Sequence, residues 1–261
     1  MDLGLKGLNA LVAGSSRGLG LATARALAQE GACVAINGRD ANKLASVAKS
    51  LAAETGSQVV AAPGDVAQMA DAVVASAAKQ LGGLDILICN AGGPPAGGFD
   101  ALDDAKWLGA FELTFMSNVR LIRAALPWLR KSAHASVLTV TSLSVKQPIQ
   151  NLMLSNSLRA GVVGMTKTLS LELGGEGIRF NSILPGWTET ERVVELMANR
   201  AKANASTVEE ELRKQAAESP FKRMAKPEEF AAAAVFLASP RAAYITGINL
   251  SVDGGMLKGT F

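Results

Sequence analysis

The 261-residue sequence contains a single histidine and only two cysteines, and its 26 basic residues nearly balance its 23 acidic ones. One histidine, His134, cannot assemble a histidine-based metal site or a Ser-His-Asp triad, so no metal is expected. Cys33 and Cys89 lie in apolar runs, which indicates buried thiols in a reducing compartment rather than a disulfide framework. Because the basic residues are scattered, nucleic acid is not expected as a partner.

Long apolar runs are also absent, since every uncharged stretch is shorter than a bilayer span. The N-terminus, Met1-Asp2-Leu3, does not begin a basic segment followed by an apolar one, as a secretory signal would. We therefore expect a cytoplasmic protein that does not interact with a membrane.

Apolar β-branched runs alternate with longer stretches of helical periodicity along the whole chain. This pattern is typical of a parallel sheet with helices on both faces. With 49% hydrophobic and 19% charged residues, the chain is expected to fold as one domain over residues 1–261. The predicted fold class is α/β, a Rossmann-like, doubly wound parallel sheet of seven strands at residues 9–13, 33–37, 58–62, 86–90, 136–141, 179–184 and 249–252.

The segment 188–221 is polar, contains no predicted strand and follows the carboxyl end of the sixth strand. In an open α/β sheet this position suits a lid over a substrate. Within the segment, Ser206 and Glu209 have the spacing of a helix-capping box. We therefore expect 188–221 to be a helical substrate lid.

The first predicted strand leads into a glycine-rich turn and then a helix of apolar periodicity. Glycine lets a pyrophosphate approach backbone N–H groups at the positive end of a helix. Ordinary tight turns also use glycine, but here the strand, the helix and the second strand all stand where a dinucleotide motif requires them. The predicted dinucleotide loop contains Gly14, Ser16, Arg17, Gly18, Leu19 and Gly20.

The residues after the second strand indicate which dinucleotide is bound. NAD-binding proteins carry an acid there that hydrogen-bonds the 2′-hydroxyl of the adenosine ribose. This sequence has Asn37-Gly38-Arg39 instead. Because Arg39 and Arg17 are both able to reach a 2′-phosphate, NADP is the expected cofactor and NAD is less favoured. The alternative is that Arg39 pairs with a surface acid such as Asp40.

These motifs resemble the short-chain dehydrogenase/reductase family, and the resemblance extends from the first strand to Asp253-Gly254-Gly255. It implies a Rossmann-like subunit, usually a homotetramer or homodimer, that transfers hydride between NAD(P) and a carbonyl or alcohol. The matching segments are the nucleotide loop at Gly14, Gly18 and Gly20, the adenine contact at Asp65 and Val66, the Asn-Ala-Gly segment at Asn90, Ala91 and Gly92, the segment that holds the nicotinamide carboxamide at Pro185, Gly186, Thr188 and Thr190, and the C-terminal signature at Arg223, Pro227, Glu228 and residues 244–247.

The catalytic positions depart from the family pattern. The family has a serine thirteen residues before a tyrosine and a lysine four residues after that tyrosine. Here the three positions hold Ser142, Ser155 and Arg159. The active-site asparagine of the family falls on Thr114. The only tyrosine, Tyr244, belongs to the C-terminal turn, where we expect it to be packed.

The substitutions change the chemistry that this resemblance implies. Carbonyl reduction needs a proton donor beside the forming alkoxide, and Ser155 is a far weaker acid than a phenol. Arg159 can supply positive charge and bidentate hydrogen bonds to the nicotinamide ribose or the substrate oxygen, but it cannot relay a proton. Water, an acid from the lid, or Lys146 is a candidate donor.

Two hypotheses remain open from the sequence. The first is an NADP-preferring oxidoreductase for a small or medium carbonyl or alcohol compound, with Ser142 and Arg159 polarising the oxygen. The second is an NADP(H)-binding protein with little or no turnover, acting as a sensor or a partner subunit. The cofactor loop fits both, the missing tyrosine favours the second, and Ser142 with the lid favours the first.

Overall fold

The computed structural model describes residues 1–260 and contains one parallel sheet with the strand order β3-β2-β1-β4-β5-β6-β7. The α/β class and the seven predicted strands are confirmed, and every strand end lies within one residue of its predicted position. The strands are β1 (Asn9–Val12), β2 (Cys33–Gly38), β3 (Val59–Pro63), β4 (Ile86–Cys89), β5 (Ser136–Val140), β6 (Arg179–Pro185) and β7 (Asn249–Val252).

Helices connect the strands. They are α1 (Gly18–Gln29), α2 (Ala41–Thr55), α3 (Ala70–Leu81), α4 (Asp104–Phe111), α5 (Ser117–Leu129), α6 (Met153–Glu172), α7 (Glu191–Asn204), α8 (Val208–Glu218) and α9 (Pro227–Ala238). A π-helical turn, Glu112–Met116, joins α4 to α5. Within residues 1–260, no helix combines the length and the apolar character needed to cross a membrane.

Successive residues of each strand pack against opposite helical layers. Val12 and Ile36 belong to the core formed with α1, α2 and α9. Leu11 and Ala35 belong to the core on the other face, formed with α3 and α5. Because both faces of the sheet are covered, the strands appear in the sequence as continuous apolar runs rather than as an alternating pattern.

The strand order reverses between β1 and β4, and such a reversal opens a crevice at the carboxyl ends of the strands. Two side-chain amides hold these ends together. Asn37 Nδ2 donates to the carbonyls of Ala62 at 2.9 Å and Gly64 at 3.1 Å. Asn90 Nδ2 donates to the carbonyl of Gly14 at 3.0 Å. Hydrogen bonds between the ends of strands that are neighbours in the sheet therefore fix the floor of the crevice.

The segment 188–221 forms two helices, α7 and α8, and the capping box of α8 lies one residue later than predicted. Thr207 Oγ1 accepts from the Glu210 N–H at 3.2 Å, and the Glu210 carboxylate accepts from the Thr207 N–H at 3.1 Å. The Ser206 hydroxyl instead donates to Glu211 Oε1 at 2.7 Å. The prediction of a capping box between Ser206 and Glu209 is therefore wrong. Ser206 and Thr207 both have a glutamate three residues later, so the sequence pattern fits two registers.

Helix α1 lies against the nucleotide loop at Gly20, where an added Cβ would be 2.4 Å from the carbonyl oxygen of Gly14. We expect Gly20→Ala to lower the free energy of unfolding by about 1–3 kcal/mol, because α1 would have to move away from the loop. The matched control is Gly164→Ala in α6, where an added Cβ meets no atom within 4 Å. This control should raise the free energy of unfolding by about 0.5–1 kcal/mol. Urea unfolding measures both, and an unchanged Gly20→Ala variant would contradict the contact.

Candidate active site

A cavity of about 610 Å³ lies at the carboxyl ends of the strands, between the nucleotide loop and α7. It is lined by nearly all of the residues that the sequence predicts to be cofactor-binding or catalytic. The nominated residues that line it are Gly14, Ser16, Arg17, Gly18, Leu19, Arg39, Asp65, Val66, Asn90, Ala91, Gly92, Ser142, Ser155, Arg159, Pro185, Gly186, Thr188 and Thr190.

Two nominated residues, Gly20 and Thr114, do not line the cavity. Gly20 instead provides the close packing between α1 and the loop. Thr114 is buried in the π-helical turn, and its hydroxyl has no hydrogen-bond partner within residues 1–260. Its carbonyl accepts a hydrogen bond from Asn118 Nδ2 at 2.6 Å, while the neighbouring Leu113 lines the cavity. The family's asparagine position therefore carries no side chain that contacts the cavity.

The nucleotide loop has the geometry needed to hold a pyrophosphate. Gly14 has a φ of +57°, and a Cβ there would lie 2.7 Å from the carbonyl oxygen of Asn90. Only glycine fits that backbone conformation and that close approach. Helix α1 has no side-chain cap at Arg17 and no acidic residue in its first turn. Its first N–H groups and its positive end are therefore suited to an anion.

Asn37 and Arg39 take different roles at the end of β2. Asn37 is buried, and its Oδ1 accepts from the Gly14 N–H at 3.1 Å, so it stabilises the loop. Arg39 is exposed, lines the cavity and forms no ion pair with a described carboxylate. Asp40 accepts from the N–H of Lys43 at 3.0 Å and caps α2. The alternative pairing of Arg39 with Asp40 does not occur in the structure.

Arg17 is joined to the lid segment rather than standing free beside Arg39. Its Nη1 lies 2.5 Å from Glu191 Oε2 and 3.4 Å from Glu195 Oε1, both on α7. Hydrogen bonding within the pair raises the pKa of Arg17 and lowers the pKa of Glu191. The side chains are half-exposed, so the pair adds little to stability. It does connect the nucleotide loop to α7, and no local sequence signal indicates a contact over 174 residues.

The three residues predicted to be catalytic follow β5 or lie on α6. Ser142 follows the end of β5, and Ser155 and Arg159 lie one turn apart near the start of α6. Arg159 Nη1 donates to the carbonyls of Val140 and Thr141, both at 3.0 Å. These bonds hold the guanidinium against the same strand end that carries Ser142, and all three side chains line the cavity.

Arg159 places a fixed positive charge in this part of the cavity. Burial lowers the pKa of its guanidinium to about 10, and the nearby charge of Arg192 lowers that pKa as well. The group therefore remains charged at neutral pH. No carboxylate within residues 1–260 lies close enough to form an ion pair with it. Arg159 can stabilise developing negative charge but cannot serve as a proton donor near neutral pH.

A phenol is missing from the cavity, and the acids in its described lining are the carboxylates of Asp65, Glu191 and Glu195. Its described lining includes no tyrosine, lysine, histidine or cysteine. Lys146 is exposed and lies outside it. Tyr244 belongs to the C-terminal turn, as predicted, but its ring is fully exposed, so the expectation that it packs there is wrong. No cluster of three or more metal-ligating side chains occurs in the part of the chain that the structure describes.

Several lining residues escaped the sequence analysis. Arg192 stands in the first turn of α7, and its place beside Thr190 is the one signal that could have indicated it. Two carboxylates of α7, Glu191 and Glu195, were also missed. Most of the rest are apolar side chains on loops and on α7, whose residue types carry no chemical signal. They include Pro94, Leu143, Ile149, Leu152, Trp187 and Leu196.

Comparisons with known proteins show which proteins this chain is similar to. Residues 13–257 match the family described as enoyl-(acyl carrier protein) reductase. The chain is 34% identical over 258 residues to 2,3-dihydro-2,3-dihydroxybenzoate dehydrogenase of Bacillus subtilis (strain 168), covering 98% of each chain. The fold resembles that of L-sorbose reductase from Gluconobacter frateurii, complexed with NADPH and L-sorbose, with a TM-score of 0.94 and 37% identity over 99% of this chain and 100% of that one.

A second structural relative is an NADPH-bound short-chain oxidoreductase from Pseudomonas aeruginosa PAO1 that contains an atypical catalytic center. It has a TM-score of 0.86 and 33% identity, covering 96% of this chain and 97% of that one. The chain therefore belongs to the short-chain dehydrogenase/reductase family and is an oxidoreductase, which confirms the resemblance found in its sequence.

Proposed function

We propose that this protein is an NADP-preferring oxidoreductase for a small or medium carbonyl or alcohol compound, with Ser142, Ser155 and Arg159 as its catalytic set. The observation that carries the proposal is that these three side chains line the same cavity as the nucleotide loop. Thr114, which the resemblance also nominates, would act only through the backbone of its π-helical turn.

The cofactor-binding residues of the cavity fit NADP. The loop and the start of α1 would hold the pyrophosphate, Arg39 the 2′-phosphate, and Asp65 with Val66 the adenine. The segments from Asn90 to Gly92 and from Pro185 to Thr190 would hold the nicotinamide half. When bound, NADP(H) supplies or accepts the hydride. The NADPH complexes of the Gluconobacter and Pseudomonas relatives support this choice of dinucleotide.

The side chains of the catalytic set would act on the substrate oxygen. Ser142 and Ser155 each offer a hydroxyl as a hydrogen-bond donor, and Arg159 places positive charge where an alkoxide develops. The proton would come from water or from an acid of the lid, since Glu191 and Glu195 line the cavity. Losing a general acid costs about 10²- to 10⁴-fold in rate, so we expect a slow reductase rather than an inert one.

The second candidate function is NADP(H) binding with little or no turnover, as a sensor or a partner subunit. The observation that favours it is the absence of tyrosine and lysine from the described cavity lining. The Pseudomonas relative, which binds NADPH and contains an atypical catalytic center, shares the family fold but does not decide between the two functions.

Two further features belong to the proposal. Helices α7 and α8 of segment 188–221 would serve as the substrate lid, since Thr188, Arg192 and Leu196 line the cavity. The protein would be a homodimer or homotetramer. This assembly is what the family resemblance implies.

The cofactor preference can be tested at Arg39. We expect NADPH to bind at least about tenfold more tightly than NADH, since an arginine and no acid faces the 2′-position. Arg39→Ala should remove this preference while leaving NADH affinity unchanged. The matched control is Arg213→Ala, an exposed arginine on α8 that lies outside the cavity. Fluorescence titration measures the affinities of all three proteins for NADPH and NADH, and equal affinities in the wild-type protein would refute the assignment.

The catalytic set can be tested by restoring the missing donor. Ser155→Tyr combined with Arg159→Lys places a phenol and a lysine one turn apart on α6. We expect the double variant to raise kcat/KM for simple ketones or aldehydes at least about tenfold, because a general acid is worth 10²- to 10⁴-fold. Arg159→Lys alone is the control and should give no gain.

The double variant must first be shown to fold and to bind NADPH. If it then reduces no carbonyl compound, and the wild-type protein is equally inert, the binding function is correct and the oxidoreductase proposal fails. A lower rate in the double variant than in an active wild-type protein would show that the ring crowds the substrate, and the assignment of Ser155 as a donor position would be wrong.

A further inference from the structure

A second arginine, Arg192, reaches the catalytic end of the cavity from α7. Its Nη2 donates to the carbonyl of Pro94 at 3.0 Å, across the opening between α7 and the loop after β4. The guanidinium also lies 3.5 Å from the position that a Cβ would occupy at Gly93. Arg192 is therefore held against the loop that follows β4 and lines the same cavity as Arg159.

The two guanidinium groups interact unfavourably. Arg192 is close enough for its charge to lower the pKa of Arg159. Arg159 forms no ion pair with a carboxylate within residues 1–260. The nearest acid, Glu195, is 3.6 Å from Arg192 Nη1, and it is shared with Arg17 at 3.4 Å. This end of the cavity therefore holds more positive than negative charge.

Both arginines keep hydrogen-bonding capacity for a ligand. Only Nη1 of Arg159 has a hydrogen-bond partner among the described residues, and its other nitrogens are not enclosed by protein. Arg192 uses Nη2 for the Pro94 carbonyl and has no hydrogen bond from its remaining donors. A guanidinium with free donors matches the planar geometry of a carboxylate.

We propose that the cavity binds a substrate that carries a carboxylate, held by Arg192 with the charge of Arg159 behind it. This inference rests on the proposed function, because it names the substrate class of the same site. A carboxylate fits better than a phosphate, since the excess of positive charge is about one and the neighbouring wall is apolar. That wall is formed by Leu143, Ile149, Leu152 and Leu196.

A matched pair of unreactive ligands tests the inference without any turnover. 3-Methylbutanoate and 3-methylbutanamide have the same branched shape, but only the first is charged. We expect calorimetry to show that the acid binds the NADP⁺ complex of the wild-type protein at least about tenfold more tightly than the amide, because hydrogen bonds to a charged partner are the strong ones. In Arg192→Gln the two ligands should bind within about twofold of each other.

Controls separate a binding role from a structural one. Arg123→Gln removes an exposed arginine from α5, outside the lid and the cavity, and should leave the difference between acid and amide unchanged. If Arg192 only holds α7 against Pro94, Arg192→Gln will weaken the acid and the amide equally, and the inference is wrong. Equal binding of the two ligands to the wild-type protein, or no binding of either, also refutes it. Inorganic phosphate that displaces the acid at equal concentration would assign the site to phosphate instead.

The same titrations show which proposal has failed. The affinity for NADP⁺ is measured first in every variant, and it reports folding and the cofactor site. A protein that does not bind NADP⁺ contradicts the proposed function. A protein that binds NADP⁺ but does not distinguish the acid from the amide contradicts only the carboxylate inference.

Discussion

The reactions that the cavity could support depend on how Arg159 is held at the end of β5. Its Nη1 donates to the two consecutive carbonyls of Val140 and Thr141, and the next residue, Ser142, lines the cavity. One strand end thus fixes both the positive charge and a hydroxyl. Because the sheet is rigid and buried on both faces, these groups do not have to be ordered when a substrate arrives. This arrangement can stabilise negative charge on a substrate oxygen. Neither Arg159 nor Ser142, however, readily releases a proton.

The part of the cavity that would bind the cofactor depends on how the ends of neighbouring strands pack together. Asn37 and Asn90 use their side-chain amides to hold the loop around Gly14. Neither of them therefore takes the role of the acid that hydrogen-bonds the adenosine ribose in NAD-binding proteins. The ion pair between Arg17 and Glu191 then connects this loop to α7, and Arg192 connects α7 to the loop after β4. The two ends of the cavity therefore share one helix, which makes α7 the element through which cofactor and substrate would influence each other.

The fold could be predicted almost completely, because strands buried on both faces produce apolar runs that are bounded by glycine and polar residues. The residues predicted to bind the cofactor, except Gly20, line one cavity, since their motifs lie at the ends of neighbouring strands. Contacts between distant segments could not be predicted. Glu191 as the partner of Arg17 and Pro94 as the partner of Arg192 depend on how a surface helix packs. Thr114 shows a further limit, because its position along the chain matched the family while its side chain is buried outside the cavity.

On the proposed function, the cavity with Ser142, Ser155 and Arg159 supports hydride transfer without a phenol. The most direct test follows NADPH oxidation over a broad panel of aldehydes and ketones, with and without a carboxylate, in the wild-type protein and in Ser142→Ala. We predict oxidation that depends on the carbonyl compound, and a loss of about 10²- to 10³-fold in kcat/KM for Ser142→Ala, the usual effect of removing an oxyanion donor. NADPH binding without oxidation by any carbonyl compound, or an unchanged rate in Ser142→Ala, would contradict the proposed function.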